Sequence, residues 1–255
     1  DGGYYTLNTN QRILDRLWNH VLVNPASAGW KSVLSTYSNG RIVQGYNAYF
    51  FDLWWPDFPE RFYSEAPSVE YNPQGAMTGE YAKALVDVAG YLKLNFPSMK
   101  ILTNTIGQMG DFEREIAAVP DGTMLESCFI RDGKKITAQG VDEITIHRQM
   151  HEIDTVIGVG KMLLCWPKFQ QFRWGRSIDI SPFDPSTRIY ALGLALLMNN
   201  DKFFYGPEEL PIDWSPLGQG INYYPEYLTN VGKPLTPRKN LNSNVFLREY
   251  SRGIV

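Results

Sequence analysis

Three observations in the sequence predict a mixed α/β fold of the parallel kind, arranged as a (β/α)8-type barrel. Short β-branched or aromatic runs alternate with longer stretches of helical periodicity. The runs end in polar or aromatic residues, at Asp52, Asn104, Glu126, Trp166 and Tyr205, with a weaker one ending at Asn24. Neither a G-x-G-x-x-G turn nor a P-loop lysine motif occurs, which disfavours a nucleotide-binding sheet. Strands that alternate with helices form a parallel sheet with helices outside it, and a barrel collects its strand ends on the face where such barrels keep their active sites.

Taken in order, Leu17 to Val23 is a short apolar run ending at Asn24-Pro25, and Ala28 to Gln44 carries helical spacing through Trp30, Val33, Leu34 and Tyr37. Tyr46 to Asp52 is strand-like and closes on a carboxylate. Leu53 to Pro73 is rich in proline and aromatics without clear periodicity, and a loop of that length inside a compact domain is usually functional or mobile. Thr78 to Phe96 reads as a helix with Tyr81, Leu85, Val88, Ala89 and Leu92 on one face. Lys100 to Asn104 is a strand, Asp111 to Val119 a helix, and Thr123 to Phe129 a strand with Glu126 near its end. Gln139 to Ile157 is helical again, Lys161 to Trp166 a strand, and Asp184-Pro185-Ser186 opens a helix to about Met198, with Asp184 as cap and Pro185 at the preferred first position. Lys202 to Tyr205 is the last of these strands, and Asn244 to Val255 reads as a β-hairpin turning near Ser251-Arg252-Gly253. Residues 1–230 are thus read as the barrel and 231–255 as the start of a small C-terminal β-region.

Composition narrows the function. With 255 residues, 44% hydrophobic and 20% charged, the chain can bury a sizeable core. Lys+Arg 24 against Asp+Glu 27 leaves no basic excess to drive binding to nucleic acid. The longest apolar stretches are far shorter than the roughly 20 residues of a membrane-spanning helix, so no transmembrane segment is expected. Two cysteines are too few for a disulfide framework. Cys128 and Cys165 fall near the ends of consecutive parallel strands and are expected close together, with two buried free thiols favoured over a bridge.

Asp52 and Glu126 are the outstanding chemical pair, since each closes an apolar strand beside aromatics. Two carboxylates facing one cleft are what cleavage of a glycosidic bond requires: one protonates the departing oxygen and the other attacks or activates water. The plainer alternative is that each caps a helix or pairs with an arginine such as Arg61 or Arg131. Trp54, Trp55 and Trp166 suit stacking against sugar rings, although aromatics are more often core. Tyr205 closes a strand on the same face, and Asn104 either hydrogen-bonds a substrate hydroxyl or caps a turn. His147 and His151 have i, i+4 spacing but no third ligand at a diagnostic distance, so they read as solvated surface residues; no metal and no cofactor are expected.

These segments resemble the TIM-barrel glycoside hydrolases related to the α-amylase and α-galactosidase-like enzymes, close to the hypothetical glycosyl hydrolase family 15 type. The carriers are VNPASAGW (Val23 to Trp30), YFFDLWW (Tyr49 to Trp55), KILTN, TMLES, and VGKPLTP (Val231 to Pro237) followed by FLREYSRGIV. The resemblance implies that Asp52 is the nucleophile and Glu126 the acid/base of a retaining enzyme acting on a poly- or oligosaccharide, α-linked by analogy. It also implies that the first two barrel strands and the end of the β-region lie outside these residues or are supplied by a partner. An extracellular or cell-surface location is the expectation. The rival reading is a non-catalytic carbohydrate-binding or structural protein on a degenerate glycosidase barrel, which needs the aromatics but not the converging carboxylates.

Overall fold

The computed structural model describes residues 24–52, 54, 77–104, 119–131, 133–140, 145–169, 185–206, 224–242 and 244–255. The expected run at 17–23, the helix at 111–119, Trp55 and nearly all of the loop 53–73, and the Asp184 cap lie outside them. The chain divides into two compact units, Asp1–Thr123 and Met124–Val255.

In the first unit, helix α1 (Ala28–Val43) starts at Ser27, whose hydroxyl accepts from the Trp30 N–H. It ends before Gly45, which sits at φ +87°. Helix α2 (Met77–Asn95) buries Ala84, Leu85, Val88, Ala89 and Leu92, the face its periodicity predicts. Lys31 of α1 meets Asp87 of α2 at 2.5 Å, and Ser35 meets the Tyr91 hydroxyl at 2.7 Å. Strands β1 (Ala48–Phe51) and β2 (Lys100–Asn104) pair in parallel, with Ala48 opposite Lys100 and Phe51 opposite Thr103.

Asp121 fixes the beginning of β2. Its carboxylate accepts from both Lys93 Nζ, at 2.8 Å, and the Ile101 N–H, at 2.9 Å, and lies 3.5 Å from Lys100 Nζ. Burial pushes this carboxyl up, but the Lys93 and Ile101 hydrogen bonds and the charges of Lys93 and Lys100 outweigh it. The net result is a pKa below the ordinary aspartate value.

Strand β3 (Gly122–Glu126) begins in the first unit, where Thr123 Oγ1 donates to the Thr103 carbonyl, and ends in the second. In the second unit it is followed by the hairpin β4 (Ile130–Arg131) and β5 (Lys134–Lys135), helix α3 (Ile146–Gly158), strand β6 (Met162–Trp166), helix α4 (Pro185–Met198) and strand β7 (Phe203–Tyr205). β6 and β7 pair in parallel, Leu163 opposite Phe203 and Cys165 opposite Tyr205. The described strand order is β1-β2-β3-β6-β7, a five-stranded parallel sheet. Closure into a barrel is not among the described features.

Two boundaries differ from the sequence-based expectation for a backbone reason. β3 stops at Glu126 instead of Phe129 because Ser127 and Phe129 adopt φ +62° and +64°, which an extended strand does not contain. α3 starts at Ile146, capped by the Thr145 hydroxyl, instead of at Gln139, because Gly140 lies at φ +83°. The hairpin β4–β5 was not foreseen. It turns through Gly133 at φ +76°, where a Cβ would stand 3.1 Å from the Phe169 carbonyl oxygen.

A 3-10 turn (Pro225–Leu228) precedes two hairpins, β8 (Lys239–Asn242) with β9 (Val245–Leu247) and β10 (Glu249–Tyr250) with β11 (Gly253–Ile254). The second turns at Ser251-Arg252, as the sequence predicts. Arg248 holds this region to the end of α4, donating from Nη1 to the carbonyls of Leu197 and Asn199 at 3.0 and 2.5 Å. A cation on the last carbonyls of a helix meets both their unused acceptors and the negative end of the dipole. Among the described residues no helix is long and apolar enough to cross a membrane.

Candidate active site

In the first unit, Asp52 follows β1 directly and is exposed, while Asn104 ends the neighbouring β2 and is 3% exposed. Because the two strands run parallel in the register above, their ends lie side by side, and Asn104 Nδ2 donates to Asp52 Oδ1 at 2.8 Å. Asn104 therefore orients the carboxylate. Its backbone carbonyl accepts from the Trp54 N–H at 3.2 Å, which holds Trp54 against the end of β2. Trp54 is only 5% exposed, with its ring 5.0 Å from that of Phe51.

In the second unit, Glu126 ends β3 and forms an ion pair with Lys168 Nζ. The same ammonium lies 5.8 Å from the Trp166 ring, so carboxylate, cation and half-buried indole form one cluster. Lys168 escaped the sequence reading. Its signal was its position two residues beyond Trp166, since alternate residues of an extended segment share a face.

Cys128 and Cys165 are joined by a disulfide with Cα atoms 5.3 Å apart, which corrects the expectation of free thiols. The parallel ends of β3 and β6 bring the sulfurs within bonding reach, well inside the roughly 7 Å limit on Cα separation. The bridge also ties the two candidate site residues: Cys128 is two positions after Glu126, and Cys165 immediately precedes Trp166. The Cys128 N–H donates to the Trp166 carbonyl at 3.1 Å. On either side of Cys128 stand the left-handed Ser127 and Phe129. Non-glycine residues in that region each cost on the order of 1–3 kcal/mol and persist only where the surroundings over-determine them.

Tyr205 ends β7, and its ring meets Tyr227 edge-on at 6.3 Å. Tyr227 in turn meets Tyr224 at 6.0 Å, and the Arg188 guanidinium stacks 3.6 Å from the Tyr224 ring while donating to Glu226 at 2.7 Å. That hydrogen bond is the main reason the Glu226 carboxyl is held below its ordinary value. Among the described residues no group of three potential ligands is placed to hold a metal, and His147 and His151 are both exposed on α3.

No family model matches the chain, and no curated protein matches it. Among solved structures, the chain is similar to the glycoside hydrolase domain of PelA from Pseudomonas aeruginosa. The identity is 17%, the match covers 80% of this chain and 67% of that one, and the TM-score is 0.46. It is also similar to bee venom hyaluronidase in complex with a hyaluronic acid tetramer, at 11% identity over 82% of this chain and 76% of that one, with a TM-score of 0.41.

Proposed function

We propose that this chain is a glycoside hydrolase that cleaves a poly- or oligosaccharide, with Asp52 as nucleophile and Glu126 as acid/base, on part of a TIM (β/α)8-type barrel. The observation that carries the reading is that each carboxylate stands at the end of a parallel strand and is engaged there by a polar side chain, Asp52 by Asn104 and Glu126 by Lys168. In the first half-reaction Asp52 attacks the anomeric carbon while a proton on Glu126 passes to the departing oxygen. An ester between Asp52 and the sugar results. In the second, Glu126 takes a proton from water, the oxygen attacks the anomeric carbon and Asp52 is released. The Glu126–Lys168 pair corresponds to the second state, when Glu126 acts as base; in the first, the proton takes the place of the pair.

Trp166 and Tyr205, partly exposed at strand ends, are the proposed stacking surfaces, together with Trp55, whereas Trp54, buried with its ring against Phe51, serves as core instead of as a stacking surface. The disulfide supports an oxidising compartment, extracellular or at the cell surface.

The test is release of reducing ends from amylose, dextran, galactomannan and hyaluronan by the wild type, Asp52→Asn and Glu126→Gln, with product anomers read by proton NMR. Hydrolysis with retention, abolished in both variants, is the expected result. The Lys168 ion pair is what favours the rival reading, a binding protein whose acidic residue is permanently neutralised. Binding of these glycans without hydrolysis by the wild type would establish that reading instead.

A further inference from the structure

We infer that Gln149 is a positioning residue for Glu126, acting through the strained turn Ser127–Phe129. The inference rests on the glycosidase reading for its catalytic consequence but on geometry for its physical content.

Gln149 lies on the buried face of α3, in line with Ile146, Met150, Ile153 and Val156, and is 1% exposed. A primary amide among aliphatic side chains is placed at a cost unless both of its ends are used. Here both are spent on one turn: Nε2 donates to the Ser127 carbonyl at 3.1 Å, and Oε1 accepts from the Phe129 N–H at 2.8 Å. The two residues it grips are the only non-glycine residues with positive φ among those described, and they begin immediately after Glu126. The disulfide and the Cys128 N–H bond to Trp166 hold the residue between them. A disulfide fixes a distance but leaves the peptide planes on either side free to turn. The amide fixes those planes, and with them the direction in which β3 delivers the Glu126 side chain. A turn needed only to reverse the chain could use glycine at both positions and would not require a buried amide to hold it.

The experiment compares wild type, Gln149→Met and Gln149→Glu, each also in a Ser127→Gly background. Glycine adopts φ +62° without strain, so that background removes the strain that loss of the brace would otherwise leave unopposed and keeps the variants folded. Gln149→Met removes both hydrogen bonds, and Gln149→Glu keeps the acceptor for Phe129. The expected result is a fall in kcat of about 10²-fold for Gln149→Met, as for a small misplacement of a reacting group, with a smaller fall for Gln149→Glu and an unchanged KM. Asp121→Asn, which removes a polar clamp in the other unit, is expected to lower the melting temperature and leave kcat in place. The second readout is the 13C signal of the Glu126 side-chain carboxyl in selectively labelled protein, assigned with Glu126→Gln. It is expected to shift in Gln149→Met and to stay in place in Asp121→Asn. Unchanged kcat, or a loss of kcat in Asp121→Asn that matches its loss of stability, overturns the catalytic consequence. A Glu126 signal that does not move in Gln149→Met overturns the positioning role itself. Absence of hydrolysis by the wild type with a shifted Glu126 signal removes the glycosidase reading and leaves Gln149 as the residue that sets Glu126.

Discussion

Asp52 and Glu126 look alike in the sequence, each an acid at the end of an apolar strand, yet they are supported in opposite ways. Asp52 is exposed and accepts a hydrogen bond from the neutral Asn104 amide of the next strand, and among the described residues around it none but Gly45 has a positive φ. Glu126 is partly buried, paired with an ammonium, and followed at once by a left-handed turn secured by a disulfide and a buried glutamine. A residue that directly follows a strand and is held through its side chain can adjust to a ligand. One held through the backbone by covalent and paired hydrogen bonds is set during folding. The difference suits the proposed roles, since the nucleophile must follow the anomeric carbon through two displacements while the proton donor works from a fixed direction.

The largest test of this contrast removes the carboxylates. Asp52→Asn and Glu126→Gln are each expected to lower the rate of glycan hydrolysis by about 10²- to 10⁴-fold, measured as reducing ends released, with glycan binding retained. Equal residual activity with and without an added small nucleophile such as azide, in Glu126→Gln, would count against the acid/base role, because azide needs no general base.

The next test breaks only the Glu126 side. The double variant Cys128→Ser, Cys165→Ser is expected to lose about 2–4 kcal/mol of stability in denaturant titration, since the bridge closes a loop across a sequence separation of 37. Asp52 lies in the other unit and is not braced by the bridge, so its hydrogen bond to Asn104 is expected to survive.

A third measurement concerns pH. The Asp121 carboxyl is held below its ordinary value by Lys93, Ile101 and Lys100 acting against burial. Its folded pKa is depressed, so the stabilisation is fully present above the unfolded value and is lost as pH falls through the folded one. Stability of wild type is therefore expected to drop on acidification below about pH 4, where free aspartate begins to protonate. Asp121→Asn, expected to cost about 2 kcal/mol at neutral pH, is expected to show a shallower drop over that range. Parallel curves for the two proteins would show that other carboxylates carry the acid limb.

The smallest expected effect sharpens the Asp52 side. Asn104→Ala removes the amide's hydrogen bond to Asp52, worth about 1 kcal/mol, and the rate is expected to fall about fivefold. A fall as large as that of Asp52→Asn would make Asn104 part of the chemistry instead of a support.

The sequence alone determined what depends on local pattern. The periods of α1, α2, β1, β2, β6 and the last hairpin were legible because backbone geometry repeats every 3.6 or 2 residues whatever surrounds it. Asp52, Asn104, Glu126, Trp166 and Tyr205 were legible because polar and large aromatic residues at the ends of apolar strands stand out. Only tertiary structure decided how those ends are held. Lys168 reaches Glu126 through the return of a strand about 40 residues later, the disulfide depends on which strands are neighbours, and Gln149 is a polar residue on a largely apolar helix face whose partner turn lies about 20 positions away. The left-handed turn that stops β3 at Glu126 carries no glycine to announce it, because its conformation is imposed by the bonds around it and not by the residues within it.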